Sequence, residues 1–285
     1  MNKIVLLFLS FLCSVNVSIA QNNQLKSIID PDADPYEKKN YFMVGFNYLS
    51  DNVYLGRKDS VPLPFYSPYI GYHWQSGIFA KATASYASDK GNNHFDLLVL
   101  EAGYEHNFTK DINVGLNLNR YFYNKNSHSI RSNTVGDASI NGQFTNDYIE
   151  PTLTFDLNFN KKSTDYVTEI ALDHNFSLKN GTINIIPTFT MFLGTQNYYD
   201  EYFVSRLTKA DKKTKVKKIV ADAQKYHPLD YEINTKITYM IKKWLFAVTP
   251  TYAIPVSSAI ITLPKKTVQE KLTHSFFLEI DICYR

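Results

Sequence analysis

The sequence predicts an all-β chain that closes into a transmembrane, antiparallel up-and-down β-barrel of about twelve strands. Segments of about ten residues alternate between apolar and polar side chains, which is the pattern of a strand with two different faces. The connections between them alternate between tight turns and long loops, as they do in membrane barrels. No run of about eighteen apolar residues follows residue 20, so a helical membrane protein is excluded.

The stretch Ile149–Phe159 shows the alternation most clearly, because one of its faces is wholly apolar and the other wholly polar. The apolar face carries Phe155 and Leu157, and the polar face carries Glu150 and Asp156. A soluble sheet can produce such a strand once. Repetition of the pattern along the chain is therefore what predicts a barrel.

The first half of the barrel is predicted to contain six strands, each with one apolar row. In the first strand this row includes Phe42 and Val44, and in the fifth it includes Leu116 and Leu118. In the sixth predicted strand, glycines weaken the alternation between apolar and polar side chains. Tight turns are predicted at 75–77, 109–111 and 146–147, and longer loops at 51–65, 88–93 and 124–133. The predicted strands are Tyr41–Ser50, Tyr66–Trp74, Ile78–Ala87, His94–Asn107, Ile112–Asn124 and Thr134–Thr145.

The second half is predicted to contain six more strands. Lys179-Asn180-Gly181 is a strong tight-turn signal, and Lys242-Lys243 forms another short connection. Loops at 160–165, 195–230 and 256–272 are longer, so both ends of the barrel are expected on the short-turn side. The predicted strands are Ile149–Phe159, Tyr166–Ser177, Thr182–Gly194, Tyr231–Lys242, Trp244–Pro255 and Thr273–Arg285.

The chain is predicted to begin with a secretory signal peptide at residues 1–20. Lys3 supplies the positive start, Ile4–Val15 the apolar core and Ser18-Ile19-Ala20 the cleavage site. Residues 21–39 are polar and are expected to form a periplasmic lead-in, and residues 40–285 form the barrel. After cleavage Cys283 is the one cysteine left, so no internal disulfide is expected.

The polar faces of the predicted strands carry an excess of acidic side chains. In a membrane barrel these faces line the interior, where their charges stay hydrated, whereas a soluble secreted β-protein would expose them on its surface. We therefore predict an acidic lumen, with the soluble protein as an alternative. The predicted lumen-lining residues are Lys81, Glu101, Glu105, Glu150, Asp156, Glu169, Asp173, Glu232, Lys236, Glu279 and Asp281.

The longest loop carries a basic segment, in which the spacing of Val216, Ile219, Val220 and Ala223 predicts a short amphipathic helix. This segment is expected to be a solvated surface, to contact anionic lipopolysaccharide, or to fold over the lumen as a partial plug. The basic residues are Arg206, Lys209, Lys212, Lys213, Lys215, Lys217, Lys218 and Lys225.

The closing strand, FFLEIDICYR, ends in alternating apolar residues and an aromatic, Tyr284. With the signal peptide and the two-faced strands, this closing strand makes the chain resemble a bacterial outer-membrane β-barrel protein of the porin-like type. The resemblance covers Tyr41 to the C-terminus and implies a fold and an outer-membrane location, but no activity. Many such barrels end in an aromatic residue, whereas this chain ends in Arg285.

No motif predicts catalysis, a metal or a cofactor. His128-Ser129 and His274-Ser275 are adjacent pairs, whose side chains point to opposite faces of a strand. A formal charge of +3 gives no field that would favour nucleic acid. We therefore expect a narrow passive pore with an acidic lumen or a structural barrel displaying extracellular loops. Its expected partners are outer-membrane lipids, lipopolysaccharide, and small solutes or ions, and a lipid-hydrolysing barrel is the alternative.

Overall fold

A computed structural model describes residues 40–59, 63–88, 93–206, 220, 222–263 and 266–285. The predicted signal peptide and lead-in lie outside these residues. Seventeen strands and one helix are present in the described residues: β1 (Tyr41–Leu49), β2 (Val53–Tyr54), β3 (Arg57–Lys58), β4 (Phe65–His73), β5 (Ile78–Ala87), β6 (His94–Asn107), β7 (Ile112–Tyr123), β8 (Thr134–Phe144), β9 (Glu150–Asn160), β10 (Thr164–Asp173), β11 (Phe176–Leu178), β12 (Ile183–Gly194), α1 (Asn197–Arg206), β13 (His227–Ile241), β14 (Trp244–Pro255), β15 (Ile260–Leu263), β16 (Lys266–Gln269) and β17 (Ser275–Tyr284).

Twelve of these strands form a closed antiparallel barrel, as predicted. Each barrel strand pairs with its neighbours in chain order, and β1 pairs with β17 to close the ring. On the other side β10 pairs with β12, so no edge is left open. The barrel strands are β1, β4, β5, β6, β7, β8, β9, β10, β12, β13, β14 and β17.

The short connections all lie at one end of the barrel, which is the periplasmic end in such proteins. Lys179 and Asn180 both have φ 53° and Gly181 has φ 84°, so this turn uses the left-handed region that a tight hairpin requires. Lys242 has φ 54° in the two-residue turn between β13 and β14. The turn positions predicted from the sequence are confirmed.

Apolar side chains face outward and polar side chains face inward. In β9, Asp156 and Asn158 are 2% and 1% exposed, whereas Leu157 and Phe159 are 40% and 41% exposed. An outward apolar surface on a closed barrel is stable only in lipid, since a soluble barrel would turn polar side chains outward. The protein is therefore a bacterial outer-membrane barrel, and the soluble alternative is wrong. Among the described helices, none has the length and apolar character needed to span a bilayer.

Three details differ from the predicted elements. The eighth predicted strand is interrupted after Asp173, and its end pairs separately as β11. The tenth begins at His227, four residues earlier than predicted, because Pro228 and His227 continue the ladder with β12 after a bulge. The long loops also contain two small hairpins, β2–β3 and β15–β16, that the sequence did not predict.

The long loops fold over the extracellular end as a compact structure, which we call the cap. It consists of the described residues within 50–64, 124–133, 195–226 and 256–274. Its apolar core joins loop residues to inward-facing strand residues, and a second cluster around Val53 and Leu63 packs against Phe65 and Phe277 below it. The core residues are Tyr54, Leu55, Ile130, Val167, Phe192, Tyr198, Tyr199, Val220, Ala223, Leu229, Ala259 and Ile261.

Candidate functional site

Arg131 joins the cap to the barrel interior. Its guanidinium lies between two rings, 4.2 Å from the centroid of Tyr54 in the cap and 5.0 Å from that of Tyr121 in β7. One of its nitrogens donates to Asn158 Oδ1 at 3.0 Å and lies 3.8 Å from a carboxylate oxygen of Asp137. Arg131 is 4% exposed, so it is a buried charge whose partners come from both the loops and the strands.

Asp137 is the acidic centre of this joint. It accepts hydrogen bonds from the Tyr121 hydroxyl and from Asn119 Nδ2, the latter at 2.8 Å. A chain of polar contacts continues through Asn158, whose Nδ2 donates to Asp156 Oδ2 at 2.8 Å. A hydrogen-bonded network therefore links the loop residue Arg131 to inward-facing polar side chains of the barrel.

Arg57 and Glu270 tie the loops of the cap to one another. Their side chains form a bidentate pair, with Nε to Oε1 at 3.1 Å and Nη2 to Oε2 at 3.0 Å. Arg57 Nη2 also donates to the Ser257 carbonyl at 2.7 Å, and the Tyr199 hydroxyl donates to Glu270 at 2.8 Å. Ala259 N donates to the same carboxylate at 3.0 Å. This pair therefore holds three of the long loops together.

Asp165, at the start of β10, holds the N-terminus of α1. Its carboxylate accepts from the backbone N–H of Asn197 at 2.6 Å and of Tyr198 at 2.8 Å. It also accepts from the Thr195 hydroxyl at 2.6 Å and from Asn160 Nδ2 at 2.7 Å. The first-turn N–H groups of a helix have no partner inside it, and here a fully buried barrel residue supplies one.

Asp59 connects the first loop to the third. Its carboxylate accepts from Ile130 N at 2.8 Å and from Asn52 Nδ2 at 3.0 Å. The pKa of Asp59 is raised to about 7 in the folded protein. Burial is the largest cause, the two hydrogen bonds oppose it, and the nearby carboxylates of Asp96 and Asp51 add to it. This contact is therefore sensitive to pH near neutrality.

We expect the first loop to be held more firmly at acidic pH. Because the folded protein raises the pKa of Asp59 from 3.8 to about 7, the carboxyl's contribution to stability is fully present below pH 3.8 and is lost as the pH rises through about 7. Limited proteolysis of the reconstituted protein should cut within 50–64 faster at pH 8 than at pH 5. The Asp59→Asn variant should lose this difference, and an unchanged pH dependence in that variant would contradict the assignment.

The predicted lumen-lining residues all lie on inward-facing positions. Seven are buried and four are partly buried, and they are spread along the barrel rather than gathered in one cluster. Their role in ion selectivity stays a prediction. The buried ones are Lys81, Glu101, Asp156, Glu169, Glu232, Lys236 and Glu279, and the partly buried ones are Glu105, Glu150, Asp173 and Asp281.

Some of these residues come together around an internal cavity of about 70 Å³. Lys81 Nζ lies 2.7 Å from Glu101 Oε2, and Asn47 Nδ2 donates to Glu279 Oε1 at 2.5 Å. Lys236 also lines the cavity. A space of this size holds only a few water molecules.

Aromatic side chains narrow the periplasmic end. The Tyr41 and His73 rings stack with centroids 4.9 Å apart, and His73 stacks on Phe79 at 6.1 Å. The Tyr69 ring crosses directly over Gly45, where an added Cβ would lie 2.2 Å from the ring. Gly45 is therefore required for the ring to lie flat against the wall.

The predicted basic segment falls mostly outside the described residues. The part of the chain that the structure describes does not include the Arg206 side chain or Lys209, Lys212, Lys213, Lys215, Lys217 and Lys218. Lys225 is exposed after a turn. The observed helix is Asn197–Arg206, upstream of the predicted one, and Val220 forms a β-bridge with Ile261. Asp165 caps the observed helix, and Tyr198 and Tyr199 pack into the cap core, whereas most of the stretch predicted to be helical from Val216 to Ala223 lies outside the described residues.

The two predicted serine–histidine pairs do not form dyads. The Ser129 hydroxyl lies 3.1 Å from Asn52 Nδ2, and His128 faces a different, outer cleft. His274 Nδ1 lies 2.8 Å from the Tyr252 hydroxyl, whereas Ser275 is buried in the lumen. In each pair the serine and the histidine therefore have different surroundings.

Ser257, His227 and Gln196 form a cluster that sequence reasoning missed. Ser257 Oγ lies 2.8 Å from His227 Nδ1, and His227 Nε2 lies 3.1 Å from Gln196 Nε2. However, both the Ser257 hydroxyl and His227 Nδ1 face the Pro228 carbonyl, which can only accept. In this arrangement His227 Nδ1 carries a proton and does not take one from Ser257.

The structure also places charged residues in the interior that the sequence analysis omitted. Asp137 lies on an inward-facing row with Ser139 and Asn141. The alternation of side chains could therefore have identified it as a lumen residue, but the neighbouring glycines weaken the pattern. Arg131 and Arg57 lie in loops, where alternation gives no signal. Within the described part of the chain, no group of three or more His, Cys, Asp or Glu residues is arranged to hold a metal.

No protein-family model and no curated protein matches the chain. Among solved structures, the fold is similar to a KdgM porin, with 11% identity over 85% of this chain and 98% of that chain and a TM-score of 0.49. It is also similar to a NanC porin (12% identity, 86% and 100% covered, TM-score 0.48) and to LpxR from Salmonella typhimurium (9%, 85% and 99%, TM-score 0.45). At these identities and TM-scores the similarity carries no argument about a substrate.

Proposed function

We propose that the protein is a closed outer-membrane barrel that displays a folded cap at the cell surface, with no catalytic role and no open path for solutes. The cap supports this proposal because it has its own apolar core, continuous with inward-facing residues of the barrel such as Val167 and Phe192. Loops that merely cover an opening would not bury such a core. The displayed surface is therefore a fixed structure rather than a set of independent loops.

The observation that carries the proposal is the buried Arg57–Glu270 pair. Arg57 is 4% exposed, so separating the loops of the cap from one another would break a bidentate contact and expose the apolar residues around it. Removing one partner of a buried, hydrogen-bonded ion pair costs roughly 3–5 kcal/mol, because the other charge stays buried without compensation. The pair therefore favours one fixed arrangement of the loops.

A narrow cation path is the second candidate function, favoured by the composition of the interior. Among the eleven predicted lumen-lining residues, nine are acidic and two are lysines. Charge of one sign in a narrow interior favours counter-ions of the opposite sign. The cavity of about 70 Å³ is smaller than any sugar ring would need, so such a path would serve small cations only.

Single-channel recording in planar bilayers tests both candidates. We expect the wild-type protein to be silent, because the cap and the side chains in the lumen block it. The Arg57→Ala variant should show brief openings with cation preference, since it releases the contact between the loops. The Lys271→Ala variant, which removes an exposed cap charge, serves as the matched control and should stay silent.

Stable wild-type openings with an intact cap would overturn the closed barrel and favour the pore. If Arg57→Ala opens the barrel, neutralising Glu150 and Asp156 in that background should reduce the cation preference. If the openings keep the same cation preference after both carboxylates are neutralised, residues other than Glu150 and Asp156 determine the selectivity.

A further inference from the structure

A cleft of about 590 Å³ opens at the extracellular end of the barrel wall, between β7 and β8. The last pair joining these strands is Arg120 with Gly136, although β7 continues to Tyr123 and β8 already begins at Thr134. Against β9, β8 also changes register between Thr134 and Gly136. The two strands therefore separate above Arg120 and leave a gap in the wall near its extracellular end.

The cleft is positively charged and rich in hydrogen-bonding groups. Lys125, Lys161 and His128 line it, together with amides such as Asn126 and with hydroxyls such as Ser132. None of the described residues that line it is acidic. This composition differs from that of the lumen, where carboxylates dominate. An anionic ligand with many hydroxyl groups would meet matching partners here.

Lys161 is oriented into this cleft. Its Nζ donates to Asn133 Oδ1 at 3.0 Å and to the Ser132 carbonyl at 3.3 Å. Asn133 is held in turn by Ser205, whose Oγ accepts from its Nδ2 at 3.2 Å. An ammonium has three donors, so two bonds to the described residues fix its position and leave one donor for a ligand.

Arg120 places a third positive charge below the cleft on the lipid-facing side. It lies between Leu118 and Phe122, which are 62% and 45% exposed on the outward row. Its Nη1 donates to the Val135 carbonyl at 3.0 Å, and its guanidinium lies 5.4 Å from the Phe122 ring. Val135 and Phe122 both line the cleft, so Arg120 is continuous with it. A guanidinium on the lipid-facing side near a strand end snorkels toward the headgroups, where anionic groups are its natural partners.

We propose that this cleft binds a phosphate monoester carried on a sugar, as presented by an anionic glycolipid of the outer leaflet. The phosphate would be held by Lys125 and Lys161 from above and by Arg120 from the membrane side. Asn126 and Ser132 are placed to meet sugar hydroxyls. The same chemistry could be offered by a free phosphorylated sugar, and the lateral position of the cleft favours the membrane-borne source. The site is independent of whether the lumen conducts.

Native mass spectrometry of the detergent-purified full-length chain tests the site. The probes are diphosphorylated lipid A and the same lipid with both phosphates removed. We expect the wild-type protein to retain the phosphorylated lipid at least roughly tenfold better, and the Lys125→Gln/Lys161→Gln variant to lose that difference. The control, Lys225→Gln/Lys271→Gln, removes two exposed charges of the same extracellular side that do not line the cleft, and should behave like wild type.

Competition with glucose 1-phosphate distinguishes the two sources. Displacement of lipid A by millimolar glucose 1-phosphate supports a site for free phosphosugars, and no displacement supports the glycolipid. Arg120→Gln, an exposed substitution, should also weaken lipid A retention, because Arg120 contributes one of the three positive charges. Equal retention of both lipids by the wild type, or an equal loss in the control, would overturn the proposal.

Discussion

Replacing Arg131 with alanine is expected to lower the free energy of unfolding by about 3–5 kcal/mol, which is typical for removal of one partner of a buried charge pair. The substitution removes the group between Tyr54 and Tyr121 and leaves Asp137 without its cationic neighbour. The cap should therefore loosen from the barrel as well. Urea titration in lipid vesicles measures the first effect, and protease cleavage within 124–133 measures the second.

Two further variants separate charge from shape. Arg131→Lys keeps the charge but lacks the planar group that stacks on the rings, so it should recover only part of the loss. Arg131→Met/Asp137→Asn removes both charges and should be more stable than Arg131→Ala, because Asp137 is no longer left as an unpaired carboxylate. An Arg131→Ala protein within about 1 kcal/mol of wild type would contradict the view that this residue joins cap and barrel.

The barrel could be predicted from the sequence because its physical cause is local. Every strand must present an apolar row to lipid and a polar row to the interior, and the pleat gives this requirement a period of two residues. Ile149–Phe159 therefore carries its own fold signal, and so does the turn Lys179-Asn180-Gly181, with its three left-handed residues. Closure then follows, because lipid does not tolerate an open edge.

The cap could not be predicted, because its causes are not local. Arg57 and Glu270 lie far apart in the sequence, and neither belongs to an alternating segment. The start of the helix at Asn197 could not be predicted, since its N-terminus is fixed by Asp165, which belongs to another element. Spacing within one segment gives no information about such partners.

The cleft between β7 and β8 shows the same limit. Residues 124–133 were predicted as an ordinary loop, and no sequence pattern indicates that the pairing between β7 and β8 stops at Arg120. Lys161 reaches the cleft from the loop after β9. Because the site is assembled from separated segments, only the register of the folded barrel brings its charges together.

Replacing Asp165 with alanine is expected to have the second large effect, a loss of roughly 3 kcal/mol or more, because several buried donors lose their acceptor at once. The two backbone N–H groups at the start of α1 and the Thr195 hydroxyl would all lack a partner at their present positions. Without the cap of its first turn, the helix should withdraw Tyr198 from the cap core. Urea titration and protease cleavage within 195–206 provide the measurements.

Asp165→Asn separates hydrogen bonding from packing. It keeps the side-chain volume and one acceptor oxygen, but its NH₂ group faces N–H and O–H groups that need an acceptor. We expect it to lie between wild type and Asp165→Ala. Asp147→Ala removes an exposed carboxylate from a periplasmic turn and should leave both measurements unchanged. If the protease cleaves the Asp165→Ala variant no faster than the Asp147→Ala variant, the helix is held by its aromatic contacts rather than by this carboxylate. In that case the loops would be fixed from within the cap, and the barrel would only carry it.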